Sequence, residues 1–271
     1  MITYREIHDP EELKQVATLE TLVWNMGAED AVPHNMMMAV IHSGGLVNGA
    51  YEDGALVGFG LCQPMRHGSQ WGLWSHMAGV LPRMQGKGIG FGIKQHQRRW
   101  ALEHDFPLIC WTFDPLQRGN ANFNLRILKG STNTHHTNLY GAMTDGINAG
   151  MESDRLEIAW WLSAPEVVAA ADGQSPPPAV SSAPREDFLL FTDDEGMPRL
   201  REPLTVKSRY HFAEIPKNLG ALKQKSIDQA KDWQFKLRTA LQYAFAQGYR
   251  AVDFAEDDRA CWYVLERNPR Q

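Results

Sequence analysis

Val80-Leu81-Pro82-Arg83-Met84-Gln85-Gly86-Lys87-Gly88-Ile89-Gly90 closes a strand pattern, sets three glycines at alternate positions and opens a helical pattern. Alternating glycines let the backbone turn with its N–H groups converging, and a helix N-terminus adds partial positive charge at the same point. That combination suits a diphosphate. Two diphosphate cradles fail on spacing. Gly86-Lys87 is followed by Gly88 rather than Ser or Thr, and no glycine stands five residues before Gly86, so the P-loop pattern is not met. The dinucleotide fingerprint needs G-x-G-x-x-G where this chain has G-x-G-x-G, although Asp114 stands where its ribose acid would be sought.

Working outward, Thr3 to Ile7 reads as a strand, Asp9 as an N-cap and Pro10 as the first residue of a helix reaching about Asn25. A second helix is expected from Pro33 to Ser43, ended by Gly44-Gly45. Leu46 to Glu52 and Leu56 to Gln63 form a hairpin over Asp53-Gly54, and Trp71 to Leu81 is the next strand. Strand alternation puts Trp74, His76, Ala78 and Val80 on one face, with Ser75 and Met77 on the other. Beyond the glycine loop come a helix to roughly His104, a strand Leu108 to Phe113, a short helix Gly119 to Leu128, and extended segments at Thr134 to Tyr140 and Arg155 to Leu162. Pro, Ser and Gly gather between Ala164 and Asp187, which reads as a linker. After it, Thr205 to Ile215 is a strand, Leu219 to Gln247 one long helix with an apolar stripe, and Tyr249 to Phe254 with Cys261 to Glu266 a hairpin. Three parts follow: 1–163, a linker 164–187, and a smaller α+β extension 188–271.

The 271 residues carry a formal charge of −5 with both signs interspersed, against the clustered Lys and Arg of a nucleic-acid footprint. Cys62, Cys110 and Cys261 are few, odd in number and far apart, so neither a disulfide framework nor a zinc site is suggested. A reducing cytoplasm fits them, and no metal is expected. The N-terminus lacks the pattern of a secretory signal, and no apolar run approaches membrane-spanning length. Oligomeric state stays open, a homodimer included.

A strand ending V-x-P followed by Q-x-x-G-x-G resembles the acyl-CoA loop of the GNAT N-acyltransferase superfamily. Trp111-Thr112-Phe113-Asp114-Pro115-Leu116, Asn120 to Leu125, and Ser153-Asp154-Arg155 to Trp160-Trp161-Leu162 are similar to a bacterial branch of predicted acetyltransferases with a C-terminal extension. Some members of that branch are associated with N-succinylation of amino acids. The resemblance implies a mixed, mostly antiparallel α/β sheet with flanking helices, and acetyl-CoA or another acyl-CoA as co-substrate. The acceptor would be a small amine or amino acid. It implies that Gln85, Gly86, Lys87, Gly88, Ile89 and Gly90 hold the pyrophosphate, and that backbone around Gly79 and Val80 meets pantetheine. Asn120 and Asn124 would reach the pantetheine amides, unless Asn120 is only a helix N-cap.

Acyl transfer from a thioester to an amine also needs a base and an acid. His76 is the candidate base, the alternative being a hydrogen bond within the sheet. Tyr140, after the short helix, is the candidate acid for the leaving thiolate, the alternative being a core aromatic. Arg66 and Arg126 are the nearest cations for a substrate carboxylate. His96, the tryptophans and Met36 to Met38 read as core or pocket lining, and adjacent His135 and His136 as facing opposite ways. Relatives usually carry K-L-G and then Y-x-x-N-x-Y-G, where this chain has Leu128-Lys129-Gly130 and Asn138-Leu139-Tyr140-Gly141. That departure keeps open a second reading, a non-catalytic acyl-CoA-binding or regulatory module.

Overall fold

A computed structural model describes residues 1–141, 150–174, 179–180 and 182–267. The chain forms two compact units, Met1–Trp111 with Trp161–Ser163, and Thr112–Trp160 with Ala164–Gln271.

In the first unit, β1 (Ile2–Glu6) leads through Asp9, whose carboxylate accepts the amides of Glu11 and Glu12, into α1 (Pro10–Trp24). Asn25 ends that helix in the left-handed region, and α2 (His34–His42) follows. β2 (Leu46–Glu52) and β3 (Ala55–His67) pair across Asp53 and Gly54, both at positive φ, as a tight two-residue hairpin turn requires. β4 (Gln70–Val80), α3 (Ile89–Glu103) and β5 (Leu108–Phe113) complete the series. The strand order is β1-β2-β3-β4-β5, antiparallel as far as β4, with β5 parallel to β4.

α1 and α3 cover opposite faces of this sheet. Trp24 packs edge-on against Phe59, ring centroids 5.8 Å apart. On the other face, a Cβ at Gly60 would lie 2.2 Å from Gln97 Nε2, and one at Gly92 2.0 Å from Tyr4 Oη. Glycine at these positions lets α3 sit against the strands.

In the second unit, α4 (Arg118–Ala121) continues directly into a π-helical stretch, Asn122–Ile127. β6 (Ser131–His136), β7 (Arg155–Trp161), α5 (Pro165–Ala171), β8 (Phe188–Thr192), β9 (Pro198–Leu200) and β10 (Tyr210–Ile215) follow. Last come α6 (Leu219–Lys225), α7 (Ile227–Ala246), β11 (Tyr249–Glu256) and β12 (Cys261–Arg267). The strand order is β7-β6-β11-β12-β10-β8-β9.

Four sequence expectations change. Residues 112–160, expected with the N-terminal part, group with the extension, because β6 pairs β11 through Thr132 and Ala251 and Tyr263 Oη donates to Pro115 O at 2.6 Å. The expected linker contains helix α5, while Pro176, Pro177, Pro178 and Ser181 lie outside the described residues. The long helix is two helices: Ser226 is extended, and its hydroxyl caps α7 by accepting the amide of Gln229 at 3.2 Å. The strands β8 and β9 were not anticipated; they are short and joined by the turn Asp193 to Met197, closed by Asp193 N donating to Met197 O. No helix among the described residues is long and apolar enough to cross a membrane.

Candidate functional site

The loop begins where β4 ends. Gln85 Nε2 donates to Val80 O at 3.1 Å, so the side chain ties the loop to the strand. Gly86 and Gly88 sit at φ 76° and 78°, and a Cβ at either would meet nothing within 4 Å. Left-handed backbone at both positions is a conformation that L side chains adopt at a cost. Gly88 is the N-cap of α3, and the first bond that closes the helix runs from Gly92 N to Gly88 O. The amides of residues 86–90 have no acceptor among the described residues, and buried Ile89 anchors the helix start beneath them. An exposed run of free N–H groups at a helix N-terminus fits a pyrophosphate. Lys87 is exposed, its Nζ 3.4 Å from Met84 Sδ.

β4 is irregular at the residue singled out as a base. Leu61 pairs Met77 and Cys62 pairs Ser75, which leaves His76 as the extra residue of a β-bulge. The bulge overturns the expected alternation. Cross-strand partners share a face, so Ser75, Ala78 and Val80 lie with Cys62, Gly60 and Gly58 toward α3, while Trp74, Met77 and Gly79 lie on the other face. The parallel ladder to β5 holds only Leu73 to Ile109 and Trp74 to Cys110, stopping just before the bulge. Beyond Trp74 that edge of β4 has no recorded strand partner within the unit. His76 is exposed, and nearby protein mass still pushes its pKa below the ordinary histidine value by desolvation. A base that stays neutral at neutral pH can accept an ammonium proton.

A buried polar chain lies under the bulge, and sequence reading missed it. Lys94 Nζ donates to Ser75 Oγ at 2.8 Å, Ser75 to Gln97 Oε1 at 3.4 Å, Gln97 to Asn48 Oδ1 at 3.3 Å, and Asn48 to Ile93 O at 3.3 Å. Lys94 is only 4% exposed, and its Nζ stands 3.9 Å from the Trp111 ring centroid. Burial pushes its pKa down to about 8, and the nearby Cys62 thiol, pushed up to about 11 by burial, supplies no neutralising charge at neutral pH. The signal was present in sequence: Lys94 and Gln97 lie on the same helical stripe as Ile93, Trp100 and Ala101.

The remaining candidates lie in the second unit. Tyr140 is 53% exposed and so is no core aromatic. Its Oη is 3.1 Å from Thr112 Oγ1, its amide donates to Ser153 Oγ at 2.9 Å, and the Arg155 guanidinium lies 5.5 Å from its ring. Asn120 is exposed, and the N-cap of α4 is Gln117 instead, with Asp114 accepting the amide of Leu116. Asn124 is buried in the π-helical stretch, where its carbonyl accepts Gly130 N. Arg126 is engaged in an ion pair within the second unit. Its guanidinium is held 3.1 Å from the buried carboxylate of Asp253, which also takes Lys129 at 3.4 Å and the amide of Ala179 at 3.1 Å.

In the first unit, Arg66 is exposed with its guanidinium 5.2 Å from the Trp71 ring. Trp71 and Trp161 are exposed rather than core, and buried His96 Nδ1 finds no partner among the described residues. His135 and His136 take different partners, Asp154 and Glu157.

The first unit is thus a mixed sheet flanked by helices, with a glycine cradle at the start of α3 and a bulged strand leading into it. Residues 11–124 match the acetyltransferase (GNAT) family. A GNAT-family protein from Desulfovibrio desulfuricans is similar at TM-score 0.49 and 14% identity, over 60% of this chain and 100% of its own. The ribosomal-protein-S18-alanine N-acetyltransferase of Escherichia coli gives 0.48 and 13%, over 60% and 96%. An acetyltransferase from Salmonella typhimurium, solved with its cofactor acetyl-CoA, gives 0.47 and 14%, over 60% and 97%. No curated protein matches the chain.

Proposed function

We propose that this chain transfers an acyl group, acetyl or succinyl, from CoA to the amine of a small molecule, with an amino acid as the first acceptor to test. The observation that carries the reading is the run of free amides at residues 86–90, in the loop that follows a strand whose parallel ladder to β5 stops after Trp74. In this assignment Gln85 to Gly90 hold the pyrophosphate. Every second amide between Met77 and Val80 is turned outward to pantetheine and to the oxyanion that develops on the thioester carbonyl. His76 takes the ammonium proton, Tyr140 returns a proton to the leaving thiolate, and Asn120 supports the pantetheine arm. Arg66, stacked on Trp71, is the remaining cation for a carboxylate on the acceptor or on a succinyl donor. The chain would work in the cytoplasm, as a monomer or homodimer.

The test crosses acetyl-CoA and succinyl-CoA with amino acids and with their decarboxylated amines, following free thiol. His76→Ala should lower kcat about 100-fold, with partial recovery at high pH as free amine accumulates. Tyr140→Phe should slow turnover without weakening CoA binding. If CoA binds and no pair releases thiol, the chain is an acyl-CoA-binding module. Equal kcat/KM for an amino acid and its matching amine removes carboxylate recognition from the assignment.

A further inference from the structure

A buried lysine without a carboxylate partner is a costly choice in a core, since an apolar residue of similar volume would fill the same space without desolvating a charge. Among the described residues Lys94 has no recorded ion pair, and its recorded partners are the Ser75 hydroxyl and the face of Trp111. Both lie beside the interruption in β4. Ser75 directly precedes the unpaired His76, and Trp111 directly follows Cys110, the last β5 residue to pair β4.

The hydrogen bonds also share one direction. Each group from Lys94 through Ser75, Gln97 and Asn48 donates to the next and ends on the carbonyl of Ile93, so an ammonium at the head polarises every bond behind it. Gly60 makes room for this chain, because a side chain there would overlap Gln97 and Asn48.

We propose that Lys94 is a positioning residue for acyl transfer: by gripping Ser75 on the α3 face it fixes the β4 bulge, which presents His76 and sets the direction of the strand edge from Met77 to Val80. The proposal rests on the assignment of that edge and of His76 to the thioester. An ordinary β4 without the bulge would keep Ser75 on the face opposite Ala78 and Val80, and would turn Trp74 toward α3. The device is a hydrogen-bonded clasp, so methionine, similar in length and unable to donate, removes the grip while keeping the volume.

The experiment compares wild type with Lys94→Met and Ser75→Ala, reading thermal stability, acetyl-CoA affinity by calorimetry, kcat, and NMR shifts of the Ser75 to Ala78 amides together with the His76 titration. Expected for Lys94→Met are an unchanged or higher Tm, unchanged acetyl-CoA affinity, kcat lower by about tenfold or more, and displaced shifts at residues 75–78 with a moved His76 titration. Ser75→Ala should displace the same signals, and combining the two changes should add little. Should Lys94→Met fail to fold, Ser75→Ala alone decides, and wild-type shifts in that variant overturn the proposal. Wild-type shifts and kcat in Lys94→Met also overturn it, as does a loss confined to acetyl-CoA affinity, which would make Lys94 part of the cradle's support. The shifts are read without turnover. If wild type transfers no acyl group and the shifts still move, the enzymatic assignment fails while the clasp stands.

Discussion

Glu20 is fully buried on α1, with Oε2 accepting the amide of Val32 at 2.8 Å and Oε1 without a partner among the described residues. Burial raises its pKa to about 7, and the bond from Val32 offsets only part of that. The folded state therefore holds this proton up to about pH 7, whereas an unfolded chain releases it near the ordinary glutamate value of about 4.3. Between those values the folded state binds more protons, so the contribution of Glu20 to stability is full at low pH and is lost as pH rises toward 7. Glu20→Gln should remove that dependence, gaining roughly 1–3 kcal/mol over wild type above neutrality and little near pH 4, as urea unfolding across that range would show. A constant gap at all pH values would mean that the carboxyl is ionised in the fold. Glu20 and Lys94 were hidden for one reason: each stands on the apolar stripe of its helix, and a stripe reading by residue class passes over a polar member. The partner of Arg126 was hidden for the converse reason, since nothing local in its short helix announces an acid 127 positions further on.

At the scale of elements, the turns and caps were legible because their chemistry is local. Asp9 with Pro10 fixed the start of α1, Asp53-Gly54 the hairpin, and the alternate glycines the start of α3. The break at Ser226 was also written locally, as Ser226 with Gln229 three residues later, but the apolar stripe running through it dominated the reading. The bulge in β4 was not legible, since it depends on what Ser75 meets across the sheet and on the helix above. The cradle gives the sharpest test of an element. Gly88 lies at φ 78° with open space around it, so Asn and Asp both fit there at a similar backbone cost of about 1 kcal/mol. They differ in charge, and Gly88→Asp should weaken acetyl-CoA binding at least about tenfold, or ~1.4 kcal/mol, more than Gly88→Asn. Equal affinities by calorimetry would remove the pyrophosphate from the loop.

At the scale of the molecule, the sequence boundary at Ala164 followed a composition shift, whereas the compact units follow pairing. Residues 112–160 draw on the C-terminal strands and helix: Asp253 takes Arg126 and Lys129, and Arg238 Nε lies 2.8 Å from buried Asp154. Taking one partner from a buried pair costs about 3–5 kcal/mol, comparable with the whole stability of many domains. A fragment ending at residue 174 should therefore be far less soluble than the full chain and bind a hydrophobic dye. A cooperative melt and native-like circular dichroism in that fragment would show that residues 112–160 are self-sufficient. The same pairing imposes an order in time. Thr132 meets Ala251, 119 residues later in the chain, and a ribosome adding ~5–20 residues per second needs roughly 6–24 s to cover that distance. During that interval β6 has left the ribosome with one edge unclaimed, so synthesis rate and chaperone supply bear on the yield of this protein through the second unit.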